Sequence, residues 1–378
     1  MSTSPLRIVA DENIPALEIF ESLGPVIRLP GRTMSSVDVA EADVLLVRSV
    51  TKVNASLLSG SRVKFVGTAT IGIDHLDTDY LNQQGIAWSN APGCNANSVA
   101  EYVLSALCHF YRSGLDQLMG KKAGIVGFGN VGKLVATKLR MLGMQVEAYD
   151  PLLNRAMYSP LQSLERVFDA DVLCIHAPLT EHGRFPSYHM IASRHWQHLR
   201  QGACLISAGR GGVVADDELA AMIIKRPDVR TAIDVWENEP SINWELAEQV
   251  TLATPHIAGY SYDGKVEGTH MIYQALLGHF DRRDRHRSPR HSQRQLIDLK
   301  GIPSHLQIHH AIQTVYNIAS DSERFKALLK APLHERASLF DALRKHYPVR
   351  RECSHYLLEG LSGDATLRSQ AMALGFAL

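Results

Sequence analysis

Short apolar runs recur along the chain, separated by stretches whose apolar positions fall at helical spacing. LRIVAD (6–11), ADVLLVRS (42–49), VKFVGTAT (63–70) and GIAWSNAP (85–92) are too uniformly apolar for strands with one wet face, and read as buried parallel strands. An amphipathic segment, PALEIFESL (15–23), lies between the first two. This alternation predicts a doubly wound α/β lobe. A long helix is predicted over 98–114, with Val99, Val103, Ala106, Leu107 and Phe110 on one face. Ser98 is its predicted N-cap, and Glu101 completes a capping box. A second alternating series follows: KAGIVGFG (122–129), QVEAYD (145–150), ADVLCIHA (170–177), GACLISAG (202–209), TAIDV (231–235) and VTLATP (250–255). ADVLLVRS and ADVLCIHA look alike, as two copies of one lobe type would. Near the C-terminus, Ile308, Ile312, Val315, Tyr316 and Ala319 make one helical stripe and RASLFDALRKHY (336–347) another. The pattern thus predicts an α/β chain of two doubly wound parallel-sheet lobes, followed by a small α+β domain.

Composition narrows the picture. A chain of 378 residues is too long for one ordinary core. Lys plus Arg and Asp plus Glu are both 39, which argues against bulk nucleic-acid binding, since that needs an excess of cations. The run DRRDRHRSPRHSQR (281–294) is therefore read as a solvated linker rather than a nucleic-acid tail. The five cysteines are scattered and never in a C-x-x-C pair, so free thiols in a reducing compartment are expected. No signal peptide and no membrane-spanning run is read, and the expected location is cytoplasmic.

The richest stretch is KAGIVGFGNVGKLVATKLRMLGMQVEAYDP. A strand runs into Gly127-Phe128-Gly129-Asn130-Val131-Gly132, a helix follows, and a second strand ends in Asp150. These spacings make a dinucleotide site. Gly127 allows the tight turn, Gly129 lets backbone approach a pyrophosphate, and Gly132 lets the helix pack close to the strand. The pyrophosphate meets free N–H groups at the helix N-terminus. Asp150 can accept from both ribose hydroxyls and repels a 2′-phosphate, which favours NAD over NADP. A P-loop reading fails because Leu134 stands where a Ser or Thr is needed for Mg²⁺.

Downstream, three apolar runs end in turns that carry a polar residue: Arg210 in SAGRGG, Glu239 in DVWENEP and His256 in TPHIAGY. A base and a cation are what a hydroxy-acid dehydrogenase needs, and carboxyl ends of parallel strands are where ligands bind. Together with GFGNVG, these segments resemble the D-isomer-specific 2-hydroxyacid dehydrogenase superfamily. The stretches DENIP (11–15), VRSVTKVN (47–54), FVGTATIGIDHLD (65–77), APGCNANSVAEYV (91–103), HIAGYSYDGKVEGT (256–269) and FDALRKHYPVRRE (340–352) resemble, more narrowly, its erythronate-4-phosphate dehydrogenase family.

The resemblance implies a flavodoxin-like substrate lobe over 1–106, completed by about 260–285. It implies a Rossmann NAD domain over 107–259 and a dimerisation domain over 286–378. It implies NAD-dependent oxidation of 4-phospho-D-erythronate, a small phosphorylated 2-hydroxy acid, in vitamin B6 synthesis, by a homodimer without nucleic-acid, membrane or metal partners. Arg210, Glu239 and His256 fall on the catalytic positions. Ser49, Thr70 and Tyr260 fall on substrate contacts. Ala177, Ala208, Gly209, Arg210, Asp234 and Gly259 fall on cofactor contacts. Two departures are Ala177, where Thr is common, and Gly209, where Cys is frequent. Arg48 and Lys52 are added as candidates for the 4-phosphate, because a dianion needs cations nearby. The bareness of SAGRGG is expected to make room for nicotinamide and substrate.

Other chemistries have weaker support. His195 with His198, and His305 with His309, have metal-ligand spacing but no Cys or carboxylate cluster beside them, so surface histidines are expected. Cys94 has no base nearby in sequence. The competing functions are another D-2-hydroxyacid dehydrogenase, such as one for 3-phosphoglycerate, and a NAD(H)-sensing regulator on the same fold.

Overall fold

The computed structural model describes residues 4–283 and 294–378. The rest of the arginine-rich run, 284–293, lies outside the described residues. Contacts divide the chain into two compact units, residues 4–95 with 261–283, and residues 96–260 with 294–378.

The first unit is built on strands β1 (Ile8–Asp11), β2 (Val26–Leu29), β3 (Val44–Val47), β4 (Phe65–Thr68) and β5 (Ala87–Ser89). They form one parallel sheet in the order β2-β1-β3-β4-β5. Alternation along the strands splits the core in two. Ile8, Val44, Leu46 and Phe65 face one side, where Ile272, Tyr273 and Leu276 of helix Tyr262–His279 cover them. Val9, Leu45, Val47 and Val66 face the other. Strand order reverses between β1 and β3, so the loops at their carboxyl ends are the place for a ligand. Strand β2 has no counterpart in the sequence reading. It is a half-exposed edge with Arg28 in its middle and Pro25 and Pro30 at its flanks, so it lacks an apolar run. PALEIFESL forms a 3₁₀ helix at Leu17–Ser22.

The second unit holds β6 (Lys122–Val126), β7 (Gln145–Tyr149), β8 (Val172–Ile175), β9 (Cys204–Ser207), β10 (Arg230–Ile233) and β11 (Leu252–Ala253). They form a parallel sheet in the order β11-β10-β9-β8-β6-β7. Strands β12 (Gln295–Asp298) and β13 (Tyr356–Glu359) pair as a small separate sheet. The expected α/β class, with two parallel sheets and a small C-terminal sheet, is what the structure has.

Helix Ala96–Phe110 starts three residues earlier than Ser98 as N-cap requires, so Ser98 and Glu101 lie inside it and do not form the expected capping box. The Ser98 hydroxyl donates to Glu352 Oε1 at 2.8 Å. Glu101 is buried, and its Oε1 accepts from Asn97 Nδ2 at 2.9 Å and from the Cys353 N–H at 2.9 Å. Both side chains are thus claimed by the 350–353 segment rather than by the helix end. The stripe at 308–319 also divides, into helices Ser304–Val315 and Ile318–Lys326. Ser105 Oγ fills the break, donating to the Tyr316 carbonyl at 2.7 Å and accepting from the Ile318 N–H at 3.0 Å. The C-terminal segment is fastened to the large sheet's surroundings: Phe325 packs on Trp236 and Trp244, and Lys138 Nζ donates to the Leu374 carbonyl at 2.7 Å.

Candidate active site

Sheet order lines up the motifs of the second unit. Along one sheet end come Asp150 after β7, the glycine turn after β6, His176 and Ala177 after β8, Arg210 after β9, Glu239 after β10 and His256 after β11. Neighbouring strands lie ~4.8 Å apart, so the three steps from β7 to β9 cover roughly 14 Å, a span for an extended dinucleotide. The three expected catalytic side chains follow on three adjacent strands.

The glycines fit a dinucleotide for separable reasons. Gly127 has φ +89°, and a Cβ there would stand 2.6 Å from the Ala177 nitrogen. A Cβ on Gly132 would overlap the Gly127 carbonyl oxygen, so helix Asn130–Met141 could not seat against β6. A Cβ on Gly129 would meet nothing within 4 Å, so this glycine is not explained by packing. It leaves an open face where the first-turn N–H groups of Asn130, Val131 and Gly132 lack intrahelical acceptors. Asp150 is aimed at this turn: its Oδ2 accepts from the Phe128 N–H at 2.9 Å and its Oδ1 from the Leu152 N–H at 3.1 Å. An anion-accepting helix end with a carboxylate beside it is what NAD needs.

His256 Nδ1 lies 2.7 Å from Glu239 Oε2. The carboxylate only accepts, so Nδ1 carries the hydrogen and Nε2 keeps the lone pair. Glu239 Oε1 accepts from the Trp236 N–H at 2.9 Å, so both its oxygens are fixed. Burial pushes the Glu239 pKa up, but the His256 hydrogen bond and charge outweigh this and hold it below the usual range. His256 has φ +56°, a left-handed backbone that must be held in place. Asp234 holds it. Its Oδ1 accepts from Thr254 Oγ1 at 2.6 Å and the Ile257 N–H at 2.8 Å, and its Oδ2 from the Ala258 N–H at 2.9 Å. Asp234 is fully buried, so the structure shows it as a fastener of the 254–258 loop. Gly259 and Tyr260 follow directly on this loop.

Arg210 makes no ion pair among the described residues, and its Nη1 donates only to the Gly209 carbonyl at 2.9 Å. The bare turn around it has an internal cause in addition to the one expected. A Cβ on Gly211 would overlap the Trp236 carbonyl oxygen, and one on Gly209 would lie 2.7 Å from the Ala177 carbonyl oxygen. Neighbouring turns thus already demand glycine at 209 and 211. Ala208 is buried, its N–H bonded to the Ile175 carbonyl at 3.1 Å.

In the first unit, Arg48 and Ser49 follow β3 directly, Arg48 half-buried and Ser49 exposed, while Lys52 is exposed further along the loop. Thr70 Oγ1 donates to the Gly72 carbonyl at 3.0 Å and lies 2.8 Å from Thr68 Oγ1, which in turn meets His75 Nε2 at 2.9 Å. Thr70 therefore braces its own loop.

The sequence reading missed several charged groups. Lys265, in the first turn of helix Tyr262–His279, has its pKa lowered by burial and then by the charge of Arg48. Its cue was the neighbouring DGKVEGT, but only the fold brings it near Arg48. Beside Glu239, Glu237 Oε1 meets His189 Nε2 at 2.8 Å and accepts the Asp216 N–H at 3.0 Å. Burial raises the Asp216 pKa to about 7. The His176 ring is enclosed, and burial takes its pKa down to about 4. His195 is buried against Phe168, with ring centroids 5.3 Å apart, which corrects its expected surface place. Among the described residues no group of three or more His, Cys, Asp or Glu side chains is placed to hold a metal ion. No helix among them is long and apolar enough to cross a membrane.

Residues 109–258 match the family model of the NAD-binding domain of D-isomer-specific 2-hydroxyacid dehydrogenases. Residues 289–375 match one described only as a domain of unknown function. The erythronate-4-phosphate dehydrogenase of Cellvibrio japonicus is 48% identical, over 98% of this chain and 99% of that protein. Its counterpart in Pseudomonas putida is 44% identical, over 98% and 97%. The fold is shared with NAD⁺-bound 3-phosphoglycerate dehydrogenase of Entamoeba histolytica, with TM-score 0.61 and 24% identity over 74% of this chain and 96% of that one.

Proposed function

The chain belongs to the erythronate-4-phosphate dehydrogenase family, and from that premise we propose that it oxidises C2 of 4-phospho-D-erythronate to 3-hydroxy-2-oxo-4-phosphobutanoate, with NAD, in the synthesis of vitamin B6. The observation that carries the reading is the Glu239–His256 pair at 2.7 Å, one strand from the unpaired guanidinium of Arg210.

Bound NAD supplies the hydride acceptor. Gly127, Gly129, Asn130, Val131 and Gly132 would hold its pyrophosphate, and Asp150 its adenosine ribose. Ala177, Ala208, Gly209, Arg210 and Gly259 would line its nicotinamide end, and Asp234 would act there through the loop it fastens. His256 Nε2 takes the C2 hydroxyl proton. Glu239 keeps the imidazole in the tautomer that can do so and stabilises the imidazolium that results. Arg210 offers a planar fork of donors to the carboxylate and the C2 oxygen. Ser49, Thr70 and Tyr260 complete the substrate contacts, with Arg48 and Lys52 the cations for the phosphate. The chain acts as a cytoplasmic homodimer through 286–378, which sedimentation of the intact protein checks against twice the 41.8 kDa chain mass.

The deciding experiment compares initial rates of NADH formation on 4-phospho-D-erythronate and on 3-phospho-D-glycerate. A higher kcat/KM on phosphoerythronate supports the proposal. A preference for phosphoglycerate, or NADH binding without turnover of either acid, overturns it.

A further inference from the structure

In the run YPVRRE, after helix Leu333–Lys345, the fold turns the apolar residue out and the cation in: Val349 is 77% exposed and Arg350 only 6%. A buried guanidinium is costly unless its hydrogen bonds and charge are used. Arg350 uses both. Its Nη2 donates to the Ser98 carbonyl of helix Ala96–Phe110 at 2.6 Å and to the Ala258 carbonyl at 3.0 Å. Its guanidinium carbon lies 4.1 Å from the centroid of the Tyr316 ring, a close cation–π contact. Arg350 belongs to the stretch matched only by a domain of unknown function, yet one of its acceptors stands two residues past His256.

That acceptor completes a clamp. The Ala258 N–H donates to Asp234 Oδ2 at 2.9 Å, so Asp234 holds this residue from the sheet side and Arg350 holds its carbonyl from the C-terminal segment. The support beneath Arg350 is itself tied down. The Tyr316 hydroxyl donates to Asp321 Oδ2 at 2.9 Å, and the Tyr347 hydroxyl donates to the same oxygen at 2.7 Å. The Tyr347 ring then meets the Tyr260 ring edge-on, centroids 5.7 Å apart at 86°. One carboxylate thus anchors the ring under the guanidinium and the ring against Tyr260. His256 has φ +56°, a backbone that persists only where its surroundings over-determine it. Asp234 supplies one side of that restraint, and Arg350 the other.

We infer that Arg350 is a positioning residue for the reaction: by holding the Ala258 carbonyl from the C-terminal segment, it fixes the loop that aims the His256 ring. It acts through backbone alone. A planar fork lying flat on an aromatic ring is what guanidinium provides and ammonium does not, so lysine is a poor replacement here. The inference rests on the proposed role of His256.

The test compares R350M and R350K with K138M in the intact protein. Lys138 also sends a buried cation to a carbonyl across the C-terminal segment, that of Leu374 at 2.7 Å, so K138M loosens the same segment at a bond that does not involve the His256 loop. Assayed below its unfolding temperature, R350M should lose about tenfold or more in kcat, as a slightly misplaced base does. Its NADH dissociation constant, set by the glycine turn and Asp150, should change little. R350K should fall between R350M and wild type, and K138M should keep a near-wild-type kcat whatever its loss in Tm. Wild-type kcat in R350M overturns the proposal, and so does an equal loss in K138M, which marks general loosening. If R350M does not fold, R350K decides on the same terms. A second readout needs no turnover: the His256 ring NMR signal, identified among the 18 histidines with H256Q, should shift in R350K and R350M and stay in place in K138M. A signal unmoved by either Arg350 variant overturns the proposal. If the wild type fails to oxidise phosphoerythronate, the proposed substrate falls, and the ring signal still decides the place of Arg350.

Discussion

Replacing Asp234 by alanine separates two roles that the sequence cannot tell apart. A cofactor contact would lose affinity for NADH and little else. A fastener of the His256 loop would lose stability and turnover first. The structure supplies the magnitude. D234A orphans the N–H groups of Ile257 and Ala258, both buried, and removes the acceptor of the Thr254 hydroxyl. Each orphaned buried amide costs about 1–3 kcal/mol. The two together cost about 2–6 kcal/mol, and the left-handed His256 backbone loses the anchors that hold it. In a unit of this size 1 kcal/mol moves Tm by about 2–4 °C, so a fall on the order of 10 °C is expected. Calorimetry of the intact protein measures it, fluorescence titration gives the NADH dissociation constant, and initial rates give kcat. D234A should lose far more in Tm and kcat than in NADH affinity. Asn at this position should fall between, because it keeps one acceptor oxygen. A D234A protein with wild-type Tm and tenfold weaker NADH binding would refute the reasoning and return Asp234 to direct cofactor contact.

Three further outcomes are expected. G129A should keep wild-type Tm yet bind NADH weakly, because its Cβ meets only open space, whereas G132A should be destabilised even without cofactor; equal Tm values for the two would contradict the packing account. H256Q should lose roughly 10²–10⁴-fold in kcat, with NADH affinity little changed, as loss of a general base predicts, and a variant retaining most of its rate would exclude that role. Burial raises the Glu101 pKa to about 7, with the neighbouring charge of Glu352 adding to it. The folded value exceeds the unfolded one, so this group's stabilisation is full below about pH 4.5 and is lost as pH rises through about 7. E101Q should therefore match wild-type Tm near pH 5 and exceed it near pH 8; parallel Tm profiles would rule this out.

The parts of the fold legible in sequence are those whose signal is local. Strands β1, β3, β4 and β6 announce themselves by uniform apolar runs, and the Gly127–Asp150 spacing carries its own geometry. Strand β2 does not, because an edge strand tolerates Arg28 and flanking prolines. Ser98 and Glu101 look like a helix start because their true acceptor and donor, Glu352 and Cys353, lie some 250 positions away. The order of Arg210, Glu239 and His256 was readable, since each ends a strand run. Charged groups without such a local signal were not. Lys265 and Arg350 are ordinary surface-type residues in sequence, and only folding decides which groups they meet.

The overlap that a side chain on Gly211 would cause with the Trp236 carbonyl bears on how substrate range can be altered. It leaves no slack between the backbone that presents Arg210 and the backbone that leads to Glu239, so neither can be lengthened, shortened or retuned alone. The two behave as one cast part, inherited whole or lost whole. Under the substrate contacts proposed above, a library aimed at new 2-hydroxy acids is better spent on the loop after β3, where Ser49 and Lys52 are exposed.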